Sequence, residues 1–479
     1  MLAGLNTQAH FTLASHSTQQ GFTCQFYAAN SFIEEFAMQK PFLYKSLGIL
    51  ALILLMSLAL GYVNDLILER QTRQANVESN IAKSSTEAQT FTGPILVIPY
   101  TEHYTETVGR DKDSKIVERK DEGHLYLLPS TLTVTGDFAH NYKQRGIFKA
   151  LMYRFNGDIA GGFNLNQIKV QAQHTNGSIR FGEASLVIGL SDTRGIDGQP
   201  VLHWGTQTLG LKQGTQLPLL GAGIHADLGH LQPEQGLVSF KLNLHLRGMQ
   251  QFNLIPLADK NSVRLHSSWQ HPHFDGNFLP DANSQRISDK GFDAQWEVSS
   301  LASNIQERLL SSLNRTSANL PLEAITVGFV EPVNIYSLSD RATKYGLLFI
   351  GLTFAGFFIF EVMKQLRIHP AQYTLVGLAM AIFYLLLISL AEHIGFSYAY
   401  LIASAACIGL IGYYLANILQ NRRYGIVFSC KLSLLYGTLY GILISEDNAL
   451  LMGSLLVFSL LTFTMIVTRK VNWYALSHP

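Results

Sequence analysis

Cysteine is nearly absent: the 479 residues hold three, Cys24, Cys407 and Cys430. None lies between residues 64 and 344, so that stretch is not a disulfide-stapled scaffold. No Cys-x-x-Cys or Cys/His spacing marks a zinc site. Net charge is nearly absent too. The 35 Lys and Arg against 34 Asp and Glu leave +1, which gives no field for holding nucleic acid. The motifs of familiar chemistry are missing: Gly-x-Ser-x-Gly, a Walker loop, Ser-x-x-Lys with its partner motifs, and His-Glu-x-x-His. The run Ala160-Gly161-Gly162-Phe163 sits among strand-like residues and has no phosphate-loop logic. A hydrolase therefore has no motif to rest on, and neither a cofactor nor a metal is expected.

What the chain has in abundance is long apolar runs. Five lie in the C-terminal quarter, at 345–363, 373–391, 397–419, 424–444 and 450–467, and a sixth lies far upstream at 42–63. A hydrocarbon core about 30 Å thick needs about 20 helical residues to cross it. Helices that are apolar all round have nowhere to pack as separate soluble elements, so six membrane spans are expected. Small residues in the fourth span (Ala403, Ser404, Ala405, Ala406, Gly409, Gly412) suit close helix packing.

The basic residues in short connections orient these spans. Lys40 and Lys45, Lys364 and Arg367, Arg422 and Arg423, and Arg469 and Lys470 all fall on one side. The alternate connections, 392–396 and 445–448, hold no Lys or Arg. Both termini are therefore expected in the cytoplasm, and 64–344 outside it.

Residues 1–39 read as a disordered tail or an upstream extension of the true start, with Met38 as an alternative start. The run 42–63 reads as an uncleaved signal anchor. Residues 64–84 continue as a helical stalk, with Ile67, Val77 and Ile81 as apolar points between charges. From Thr92 the pattern turns to strands. Candidates are 95–100, 124–135, 168–173, 184–189, 237–247, 251–257 and 262–268. The charged run 109–123 reads as a solvated hairpin tip. Turn signals stand at Asn176-Gly177, Asp197-Gly198 and Asp275-Gly276. Helical character is expected only in the second half of 291–312. Tyr336, Arg341, Lys344 and Tyr345 form an aromatic and basic anchor where the chain re-enters the bilayer.

Several longer motifs match one family. They are Gly93-Pro94-Ile95-Leu96-Val97-Ile98-Pro99; Trp269-Gln270-His271-Pro272-His273-Phe274-Asp275-Gly276; Gly291-Phe292-Asp293-Ala294-Gln295-Trp296; Arg341-Ala342-Thr343-Lys344-Tyr345; His369-Pro370-Ala371-Gln372-Tyr373; and Thr468-Arg469-Lys470-Val471-Asn472-Trp473. From about residue 42 to 474 the chain resembles the CreD family of Gram-negative inner-membrane proteins. The tail before Met38 departs from the family, which begins close to its first span. The resemblance implies a role in envelope integrity, tied to an envelope-stress two-component system and to tolerance of colicins and β-lactams. It supplies no catalytic residues. It makes the external compartment the periplasm.

Ionisable residues within or beside spans are the first candidates for chemistry, because they are costly there. Glu361, near the inner end of the second span, and Lys431, one to two turns into the fifth, can pair. The plainer alternative is that Lys431 snorkels and Glu361 is interfacial. Glu392 and His393 end the third span, and Glu446 and Asp447 fill the next external connection. They can bind a cation or titrate, or simply solvate the turns and seat the β domain. His271 and His273 with Asp275 form the densest imidazole cluster, alongside His266. A zinc site is one reading. A packed turn, with His271 facing the core and bonded to backbone, is the other, and Pro272 favours it.

The fold expected is a membrane α-helical bundle of six spans, one plus five, with a large inserted periplasmic β-rich domain. Its parts are a cytoplasmic tail (1–41), the first span (42–63), a periplasmic stalk and β-rich domain (64–344), a five-span bundle (345–468) and a cytoplasmic tail (469–479). A non-catalytic envelope role is the favoured function, with membrane lipids and other envelope proteins as partners. A transporter or channel-like activity of the five-helix bundle is the alternative.

Overall fold

The computed structural model describes residues 40–108, 115–315, 323–329, 331, 334–364, 368–445 and 449–469. The tails at 1–39 and 470–479, the tip at 109–114, and Glu446 and Asp447 lie outside the described residues. The chain forms two compact units. One is Met1–Thr72 with Val333–Pro479, and the other is Arg73–Pro332.

Among the described residues the first element is α1, Lys40–Ser84, one continuous helix of 45 residues. At 1.5 Å per residue it is about 67 Å long, more than twice a hydrocarbon core. The strands follow in order: β1 Gln89–Val108, β2 Lys115–Leu127, β3 Thr131–Arg145, β4 Phe148–Asn164, β5 Ser178–Phe181, β6 Ala184–Leu190, β7 Val201–Trp204, β8 Gln207–Gly210, β9 Lys212–Gln213, β10 Gly223–Gly229, β11 Leu237–Met249, β12 Gln251–Ile255, β13 Lys260–Ser267, β14 Pro272–Gly276, β15 Arg286–Ser288 and β16 Gly291–Ser299. Then come α2 Ile305–Arg315, β17 Ile325–Phe329, and the helices α3 Ile335–Lys364, α4 Pro370–Ile394, α5 Phe396–Ile418, α6 Arg422–Ile444 and α7 Ala449–Thr468.

The strands make two sheets. One has the order β14-β17-β12-β1-β6-β10-β9, with β2 and β5 also paired to β1. The other runs β15-β16-β13-β3-β4-β11-β7-β8. They face each other over one core. Phe138 and Phe155 from the second sheet meet Phe252 from the first, at ring-centroid distances of 5.4 and 4.6 Å. Strand β3 alternates exposed and buried residues from Thr131 to Phe138, as a strand with one solvated face must. Strand β1 is buried almost without a break from Phe91 to Ile98. The reason is that its sheet is covered twice. Leu96 and Ile98 enter the core between sheets, while Ile95 and Val97 meet α2 through Ile305 and Leu309. Those two α2 residues are four apart and share a helix face. Gly136 and Gly157 stand opposite each other in β3 and β4, and a Cβ on either would run into the Phe155 ring.

Three expectations need correction. Residues 168–173 are not a strand: the backbone N–H groups of Gln173 and His174 donate to the Glu102 carboxylate, at 3.1 and 2.9 Å, instead of to a strand partner. The run 124–135 is two strands in two sheets, broken at Pro129, which offers no N–H to a ladder. The charged residues from Lys115 to Gly123 are strand rather than hairpin tip. They pair with β1 through the backbone while their side chains stay mostly in solvent. The long β3–β4 hairpin went unread because its far half, from Asn141 to Lys149, is polar and shows no alternation.

In the helical unit, α1, α3, α4, α5 and α6 are long and apolar enough to cross a membrane. The sixth apolar helix is α7, whose Leu451, Leu455, Phe458 and Leu461 stay exposed. The helix α1 packs where glycine clears space: a Cβ on Gly377 would sit 2.7 Å from the Phe354 ring and 3.0 Å from Met56. At the centre, Phe383 is ringed by Tyr384, Tyr400 and Tyr436 at 4.9, 5.6 and 4.7 Å. The small residues of α5 divide. Ala403, Ser404 and Gly412 are buried, whereas Ala405, Ala406 and Gly409 are exposed.

Candidate functional site

The polar residues of the helical unit gather in two clusters. The first is built around Glu361, near the end of α3 and 6% exposed. Lys45 of α1 forms an ion pair with its Oε1. Oε1 also accepts the Ile368 N–H at 3.1 Å, and Oε2 accepts the Tyr373 hydroxyl at 2.9 Å. The Lys45 ammonium donates in turn to the Ile368 carbonyl at 3.1 Å. The residues His369 to Tyr373 explain how Tyr373 arrives there. His369 caps α4 by accepting the Ala371 N–H, Pro370 begins the helix, and the Gln372 side chain accepts the His369 N–H. This is a capping box with His in the first position. It fixes the first turn of α4 and directs Tyr373 at Glu361.

The second cluster is built around Glu392, in the last turn of α4. Its Oε1 accepts the Tyr336 hydroxyl at 3.1 Å and lies 3.7 Å from the Arg70 guanidinium. Lys45 and Arg70 are 25 positions apart on α1, about 37 Å along the axis. The stretch of α1 between them is apolar as far as Val63 and then mixed. The two clusters thus bracket a stretch of α1 somewhat longer than a bilayer's hydrocarbon core is thick.

The sequence candidates fall as follows. Glu361 is paired, but with Lys45 rather than Lys431. Lys431 lies exposed on α6 with no ion pair among the described residues. Glu392 is paired, while its neighbour His393 is exposed and outside the cluster. Glu446 and Asp447 lie outside the described residues. His271 does not face the core: its side chain is exposed, and only its carbonyl is engaged, by the Trp269 indole N–H at 3.0 Å. The turn is packed by Trp269, not by the imidazole. His273 and Asp275 share the exposed face of β14, an edge strand that tolerates Pro272, with Nε2 and Oδ2 3.9 Å apart. Among the described residues no group of three or more His, Cys, Asp or Glu is placed to hold a metal.

Sequence reasoning missed Lys45, Tyr373, Arg70 and Tyr336 as partners. Lys45 is legible only as an orientation signal, and Arg70 is one of the charges of the 64–84 stalk that no pattern singles out. The motif around Tyr373 was the one clue to its placement.

Two ionisable groups of the β unit, Glu102 buried and His140 half-buried, have shifted acidities. Glu102 is 3% exposed. The His174 backbone N–H, then that of Gln173, hold its carboxyl below the usual range against the opposing effect of burial. It is an anchor for the loop that follows β4. His140 contacts Trp269 and Phe329, at centroid distances of 5.1 and 4.5 Å, and burial pushes it down to about 4.

An apolar helical unit with a charge cluster at each end, interrupted after its first helix by a two-sheet β unit, defines a multi-pass membrane protein with a large inserted domain. The chain belongs to the CreD family. The profile described as "Inner membrane protein CreD" matches residues 41–474. Inner membrane protein CreD of Escherichia coli (strain K12) is 33% identical over 442 residues, spanning 92% of this chain and 96% of the relative. The protein is accordingly an inner-membrane protein. Among solved structures, the InvG secretin domain β-barrel from the Salmonella SPI-1 injectisome NC-base is 9% identical. It covers 36% of this chain and 66% of its own, with a TM-score of 0.07, a likeness that carries no argument.

Proposed function

We propose that the protein supports cell-envelope integrity under stress through non-catalytic contacts of its β-rich unit. In this reading both termini are cytoplasmic and the β-rich unit is periplasmic. Tolerance of colicins and β-lactams is the expected phenotype. The observation that carries the reading is the state of the helical unit's carboxylates. Glu361 and Glu392 are each tied to a cation and a tyrosine hydroxyl, as structural ties between helices are. A transport pathway through the bundle loses its best candidates that way, and the larger β unit is left to carry the function.

The test is complementation of a deletion strain, scored by sensitivity to detergent and β-lactam. Membrane levels are followed by immunoblot. The joint replacement Lys45→Met with Glu361→Leu, and separately Lys431→Met, are expected to rescue fully at normal protein level. Loss of rescue at normal level would move the function into the bundle.

A further inference from the structure

The chain as a whole balances its charges, but one segment does not. From Phe138 to Gly157 there are four cations, Lys143, Arg145, Lys149 and Arg154, and no acid. These residues form the far half of the β3–β4 hairpin. On the outer face of their sheet, Lys143 and Arg154 are joined by Arg247 of β11 around a hollow of about 280 Å³, which Ser85, Asn141 and Met152 also line. Arg154 and Arg247 stand directly opposite each other in the β4–β11 register. Like charges at that spacing destabilise a strand pair unless a counter-charge joins them. Asp197 reaches Arg154 at 3.2 Å. The Arg247 guanidinium has no ion pair among the described residues, and Lys143 donates to the Ser85 hydroxyl at 2.7 Å. The hollow therefore holds three cations against one carboxylate. Beyond the hollow, Tyr142 lies on the opposite face of β3 from Lys143, its hydroxyl meeting Glu331, while Ile147 is 42% exposed in the turn between Arg145 and Lys149.

We propose that this hollow binds a phosphate-bearing anion. Paired guanidinium groups present planar forks of donors that match phosphate oxygens, and Lys143 adds a point charge. A free phosphate and the headgroup of an anionic lipid share that chemistry. The exposed Ile147, in the hairpin turn between Arg145 and Lys149, suits the lipid, because apolar and basic side chains together favour an anionic interface. The site deepens the contact role proposed above by naming a surface and a ligand class for the β unit.

The experiment is native mass spectrometry of the full chain in neutral detergent, titrated separately with pyrophosphate, phosphatidylglycerol and phosphatidylcholine. The variants are Arg247→Gln, and Arg154→Gln with Arg247→Gln. Near-ultraviolet circular dichroism checks that each is folded. The expected result is binding of pyrophosphate or phosphatidylglycerol, but not phosphatidylcholine, that weakens at least 10-fold in the double variant. Which probe responds identifies the source of the phosphate. No binding of either anion to the unaltered protein, or equal binding to the variants, overturns the site. Failure here with normal dependence of envelope resistance on the β unit would remove the anion site and leave the contact role standing.

Discussion

At the scale of single residues, the Glu361 carboxylate shows how a charge is kept among apolar helices. Three donors from two other segments, the Lys45 ammonium, the Ile368 N–H and the Tyr373 hydroxyl, converge on its two oxygens. Removing one partner strands the rest. Glu361→Gln, which leaves Lys45 without its counter-charge, should lower the stability of the detergent-solubilised protein by about 1–3 kcal/mol. Lys45→Met with Glu361→Leu should recover most of that loss. Thermal unfolding followed by helix signal tells the two apart, and equal loss in both would refute the tie. His140 gives a second test. Its folded value is depressed from about 6.5 to about 4, so the folded state resists a proton that the unfolded chain accepts. Stability tied to His140 is complete above pH 6.5 and falls as pH drops toward 4. Glu102, whose carboxyl is depressed, acts only lower, as pH falls through a folded value below 4.5. Stability, with unfolding followed by tryptophan fluorescence, should therefore fall between pH 6.5 and 4. His140→Gln should flatten that window and leave the lower one unchanged. None of these pairings could be read in the sequence: Lys45 and Glu361 are 316 positions apart, and no local pattern joins them.

At the scale of elements, legibility follows periodicity. The strands β6, β11, β12 and β13 were visible because apolar residues ran or alternated between turn signals. The apolar helices were visible because length and composition alone decide them. The β3–β4 hairpin was hidden because its outer half is held by backbone pairing and carries polar side chains. Glycines mark where these elements come closest. Gly136 and Gly157 yield their volume to Phe155, so Gly136→Leu should destabilise the sandwich by about 1–3 kcal/mol. Gly146, at the hairpin turn with φ 65° and open space around it, should accept Asn at little cost. Urea denaturation of the two variants side by side gives the contrast. A Gly136→Leu variant as stable as the original chain would mean that the core has slack its packing does not show.

At the scale of the whole molecule, the placement of the β unit is open to direct labelling. In a cysteine-free background, Arg286→Cys on the exposed strand β15 should react with a membrane-impermeant maleimide in cells whose outer membrane is permeabilised and inner membrane is intact. Arg422→Cys, at the start of α6, should react only after lysis. The reverse pattern would invert the topology. The tie between Lys45 and Glu361 also sets an order in time. At synthesis rates of 5–20 residues per second, the 316 residues between them take roughly 15–60 s to emerge. Through that interval α1 must hold its place in the bilayer by its apolar length alone, with Lys45 and Arg70 lacking their carboxylates. The whole β unit is synthesised before either carboxylate exists. Closure of the helical unit is therefore a late event in the life of each new chain, and a ribosome stalled before α3 leaves an anchored β unit with no bundle.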